Sequence, residues 1–178
     1  MTWLGHLLKW DAQNAQKQPV QPVLPPIPTP MPSTPQKPVQ ANIMPQKVYA
    51  AAKRCLGQHL TLNSSVPEDV GCAEAVSKIL EEAGYILPPS GIPNVNGLID
   101  WMLKEGFVEH TSASIGDVIT AHNTDLANPN YAHTGIVLEY GIASNDSSNG
   151  RFNENYSVDS WVRSFAIHKS VTRYFTPV

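Results

Sequence analysis

The chain has 178 residues, 42% of them apolar, and a formal net charge of −3 from 12 Lys and Arg against 15 Asp and Glu. That length suits one ordinary domain with an appendage, and the apolar share is ample for a core. So small a negative balance leaves no overall basic footprint, and nucleic acid is not an expected partner.

Only two cysteines occur, Cys55 and Cys72, which excludes the disulfide framework of a secreted mini-domain and a cysteine-rich metal array. Both are expected to be reduced, as suits the cytoplasm where the chain is made. The six histidines show no His-x-His or His-Glu-x-x-His spacing, so neither a metal nor a cofactor is expected.

In chain order, residues 1–17 carry Trp3, Leu4, Leu7, Leu8 and Trp10 on one side of a would-be helix. The stretch is too short to span a bilayer and lacks the basic start of a signal peptide. It reads either as a docking helix for a protein or membrane surface, or as a frayed terminus or a helix packed on its own domain. Residues 18–45 hold ten of the sixteen prolines. Repeated proline fixes φ and removes donors, which predicts an extended linker with no core of its own.

The folded domain is expected over residues 46–178. A helix at 46–58 places Val48, Ala51, Ala52, Cys55 and Leu56 inward, so Cys55 reads as core. A second helix begins at Cys72, where Ala73, Val76, Ile79, Leu80 and Ala83 form the buried stripe and Gly84 the stop. Cys72 thus lies in the first turn, after Asp69 or Gly71 as N-cap, where unpaired backbone N–H groups favour a thiolate. The same position also suits an ordinary small buried cysteine. A third helix is predicted over 95–104.

The period then changes. Residues 116–122, 132–139 and 142–147 read as strands, 157–162 as a short helix or turn, and 165–168 and 171–175 as further strands. A turn is placed at Tyr140-Gly141. Helices followed by strands imply an α+β fold, with the helices packed on one face of an antiparallel sheet.

A helix-borne cysteine followed by a strand-borne histidine is one way to build a thiol nucleophile with its base. His133 is the candidate base: it opens an apolar strand, and Gly135 leaves room beside the ring. Read alone, a strand histidine is more often a surface or satisfied residue. His59, His110, His122 and His168 fall near element ends, Asp117 suits a turn, and Trp101 and Trp161 suit the core.

Four pieces in this order carry a resemblance: Cys72-Ala-Glu-Ala-Val-Ser-Lys-Ile-Leu-Glu-Glu-Ala-Gly-Tyr, Gly116-Asp-Val-Ile, His133-Thr-Gly-Ile-Val-Leu and Ile142-Ala-Ser-Asn145. Over residues 44–161 the chain resembles the CHAP domain (cysteine, histidine-dependent amidohydrolase/peptidase) and its NlpC-type relatives. The resemblance implies a papain-like α+β core, cleavage of amide bonds in bacterial peptidoglycan, Cys72 as nucleophile and His133 as base. In the NlpC-type pattern the ring-orienting residue lies on the next strand, twelve residues on, which is Asn145. Hairpin geometry leaves Asp146 as the alternative: a two-residue turn at Tyr140-Gly141 pairs residue 135 with 146, and a three-residue turn selects Asn145.

The expected activity is therefore a cysteine peptidase or amidase acting on the wall peptide. The alternative is a non-catalytic binding or assembly module of the same fold, with the N-terminal segment and linker as its working parts. Without a standard signal peptide, a wall-cleaving domain resembles a bacteriophage lysis or virion enzyme, or a delivered toxin, acting at the bacterial cell wall.

Overall fold

Pro45 sets where the first helix begins. In the computed structural model α1 spans Met44–Cys55, two residues earlier than its expected start, with the proline in the first turn, where an N–H has no intrahelical partner anyway. Val48, Ala51, Ala52 and Cys55 are its buried stripe. Helix α2, Cys72–Glu82, buries Cys72, Ala73, Val76, Ile79 and Leu80. Helix α3, Val95–Lys104, is capped by Asn94, whose side chain accepts from the Gly97 N–H at 2.8 Å. The structure describes residues 43–62, 66–67, 70–89, 91–123 and 132–178, all within one compact unit, Gln40–Val178. The N-terminal segment 1–17 and the proline-rich stretch up to residue 42 lie outside the described residues.

The strands are β1 Val108–His110, β2 Val118–His122, β3 His133–Val137, β4 Ile142–Asn145, β5 Phe152–Tyr156 and β6 Val171–Thr176, with α4, Val158–Ala166, between the last two. They form an antiparallel sheet in the order β1-β6-β2-β3-β4-β5. The α+β class is therefore observed. Alternation along the strands sends Val118, Ile136, Ala143, Phe152 and Phe175 to the side of α1, α2 and α3. It sends Ile119, Val137, Ile142 and Tyr174 to the other side, where Trp161 of α4 covers them. The expectation that helices cover one face is corrected: α4 covers the second.

Three other expectations are corrected. Residues 165–168 are not a strand. Ser157 opens a helix there with a reciprocal capping box to Ser160, and Trp161 and Phe165 then fall four apart on one helical face. The third expected strand stops at Asn145, because Asp146 starts a turn in which its carboxylate accepts from the Ser148 N–H and hydroxyl and from the Asn149 amide. Last, the β3–β4 turn is at Glu139-Tyr140, closed by Leu138 N–H donating to Gly141 O at 2.7 Å, and not at Tyr140-Gly141. Glu139 is held onto α1 by the Tyr49 hydroxyl and by Lys53 at 3.4 Å.

Candidate active site

Cys72 opens α2, with Gly71 before it as a cap that has no side chain to offer. Thr61 explains the glycine, since a Cβ at position 71 would stand 2.5 Å from Thr61 Cγ2. The expected alternative cap, Asp69, lies outside the described residues. Both cysteines are free thiols. Cys72 is 7% exposed. Burial pushes its thiol pKa up, while hydrogen bonds from the backbone N–H groups of Thr134, Ala73 and Cys72 itself work against that rise. Cys55 behaves as core: its Sγ donates to Glu82 Oε2 at 3.1 Å, and burial followed by that bond pushes its pKa up to about 12.

His133 is the first residue of β3 and Thr134 the second, so the strand that offers its N–H to the Cys72 sulfur also carries the imidazole. The ring turns toward α4. It stacks against Trp161 (centroids 5.3 Å apart, 22° between planes) and Phe165 (5.7 Å, 28°), with Tyr156 edge-on at 6.2 Å. Burial among these rings lowers its pKa to about 4. The thiol, in the core under α1 to α3, and the imidazole, stacked on α4, therefore lie on opposite faces of β3, and among the described residues no hydrogen bond joins them.

Register decides what orients the ring. The turn at Glu139-Tyr140 pairs Gly135 with Ser144 and Val137 with Ile142, so the residue brought to the His133 side is Ser144, not Asn145 or Asp146. Its Oγ lies 3.0 Å from His133 Nε2 and donates to Asn155 Oδ1 at 2.9 Å. Asn155 is the extra residue of a bulge: Tyr156 pairs with Ile142 and Glu154 with Ala143, which leaves Asn155 with no opposite residue. Gly135 permits the close approach, for a Cβ there would meet Ala143 O at 2.5 Å and Ser144 Cβ at 3.1 Å.

Asn145 is 2% exposed and pairs with Phe152. The Asp146 carboxylate is committed to its own turn, where hydrogen bonds from Ser148 hold its pKa below the usual carboxylate range. Both nonetheless line, with His133, Asn155, Tyr156 and Phe165, a cleft of about 340 Å³ open at the ring. Among the described residues no three His, Cys, Asp or Glu side chains gather in a way that could hold a metal ion.

Sequence reasoning missed Ser144 and Asn155. The one usable signal was the turn, because moving it by a single position changes the pairing by two residues and exchanges every candidate on β4. Asn155 had no signal, since a bulge in a polar edge strand leaves no trace in the hydrophobic pattern. No family model matches the chain, and neither does any curated protein.

Proposed function

We propose that the chain is a thiol-dependent amide hydrolase of the CHAP and NlpC kind, with a papain-like core, acting on the peptide part of bacterial peptidoglycan. The observation that supports it most is the place of Cys72 at the start of α2, where the backbone N–H of Thr134, the residue beside His133, works against the rise that burial gives the thiol pKa. For the pair to form, the His133 side chain must leave the Trp161 and Phe165 rings and come round the start of β3 to the sulfur. The imidazole takes the thiol proton, and the thiolate attacks the carbonyl carbon of the scissile amide. The oxyanion is held by N–H groups at the start of α2, and the protonated imidazole gives its proton to the departing amine. Water, deprotonated by the same imidazole, then releases the acid from the thioester and restores the thiol.

In this proposal the protein works at the bacterial cell wall, in phage lysis, in a virion or as a delivered toxin. No helix among the described residues is long and apolar enough to cross a membrane. Mass spectrometry of fragments released from purified peptidoglycan tests the reading. New amine and carboxyl ends that fail to form with Cys72→Ser are the expected result, and equal release by that variant overturns it.

A second reading, the non-catalytic module, is favoured by one observation: burial raises the thiol pKa and lowers that of the imidazole, so both rest neutral. Alkylation by iodoacetamide across pH separates the two. A Cys72 thiol that reacts well below the ordinary thiol pKa of about 8.5 in the presence of wall fragments supports the enzyme, and one that stays inert supports the module.

A further inference from the structure

The hydroxyl of Ser144 has a single proton, and its two neighbours decide where that proton goes. Asn155 Oδ1 can only accept, so Ser144 donates to it over 2.9 Å. Toward His133 Nε2, 3.0 Å away, the same oxygen then has only lone pairs to offer, and the ring nitrogen must carry the hydrogen. We propose that Ser144 and Asn155 are positioning residues which fix His133 as its Nε2–H tautomer and so reserve Nδ1 as the proton-accepting nitrogen. The assignment of a role to that nitrogen rests on the reading of His133 as a base.

Four features converge on this arrangement. Ser144 is fully buried. Gly135 removes the side chain that would separate Ser144 from the ring. The bulge in β5 inserts Asn155 opposite no residue of β4 and thereby places an acceptor behind the hydroxyl. Trp161 and Phe165 stack on the imidazole in the same arrangement. Nδ1 makes no hydrogen bond to any described residue, and the ring opens on the cleft. The relay contains no carboxylate. It orients the ring and sets the tautomer without adding charge to an imidazole that burial already keeps neutral.

Nitrogen-15 NMR of the full-length protein, at a pH where His133 is neutral, tests this directly. Nε2 should appear as the protonated ring nitrogen and Nδ1 as the bare one. Asn155→Ala removes only the acceptor behind Ser144, so the hydroxyl turns and donates to Nε2, and the ring proton moves to Nδ1. Asn155 is exposed, which makes this variant safe for folding. Ser144→Ala should leave a mixture of tautomers. With wall fragments as substrate, both variants should lose roughly 10- to 1,000-fold in kcat with KM little changed. A wild-type ring protonated on Nδ1, or a tautomer unmoved by Asn155→Ala, overturns the proposal whether or not the protein cleaves the wall. The expected tautomer and its switch in Asn155→Ala, in a protein that releases no wall peptide, would uphold the relay and overturn the hydrolase reading alone.

Discussion

At the scale of the residue, two neighbours on β3 serve opposite faces of the sheet: the Thr134 backbone N–H counters the burial of the Cys72 thiol, and the His133 ring packs on the aromatic side chains of α4. On the proposed function, Cys72→Ser and His133→Ala should each abolish release of wall peptides with circular dichroism unchanged. Cys55→Ser should leave activity intact, because a serine hydroxyl can still donate to Glu82. The imidazole also couples folding to pH. Its pKa is about 4 in the folded chain against an ordinary value of 6.5. Between those values the unfolded chain binds a proton that the folded chain refuses. Stability should therefore fall as pH drops from about 6.5 to about 4, by about 3 kcal/mol in all, and then level off as far as this group is concerned. Urea midpoints measured across that range check it, and His133→Asn should remove this part of the slope.

At the scale of the element, the β3–β4 hairpin shows what the sequence makes legible and what it hides. Helices α1 to α3 and strands β2, β3 and β6 were readable because each has a buried face and the period to match. The turn was misplaced by one residue because Gly141 looks like a turn glycine. Its purpose is packing: a Cβ there would stand 2.2 Å from Tyr156 O. Glu139, which marks the true turn, is held by contacts to α1, 90 residues earlier in the chain for Tyr49, and no local pattern encodes those. Strand β5 was missed because Asn-Glu-Asn on an edge shows no apolar alternation, and 165–168 was misread because strand-like composition yields to the cap at Ser157. Of the candidate site, Cys72 and His133 can be singled out from their places on elements, whereas the contacts of Ser144 and Asn155 depend on register and a bulge. Gly135→Ala should cost about 1–3 kcal/mol by forcing β3 and β4 apart, seen as a lower urea midpoint. Gly97→Ala, whose added Cβ would meet nothing closer than 3.4 Å, should be neutral or stabilising in its helix.

At the scale of the whole molecule, β6 pairs with both β1 and β2, so the last strand in sequence is internal to the sheet. Removing residues 171–178 should strip β1 of its partner and expose Val118 and Ile119, giving a chain that limited proteolysis degrades throughout. On the proposed function, removing residues 1–40, none of them among the described residues, should leave hydrolysis of soluble wall fragments unchanged; loss of folding would refute this. At the sheet's other end, Gly57 and Gln58 hydrogen-bond the Phe152 backbone and pin the beginning of β5. Asn155 lies toward the far end of that edge strand. A strand of this kind opens locally long before a domain unfolds. Each such opening takes the acceptor away from Ser144, so the tautomer of an imidazole two strands inward follows the breathing of the sheet's rim. Amide exchange at Asn155 and the exchange between tautomers at His133 should then share one rate, and a molecule that clamps the rim would slow both together.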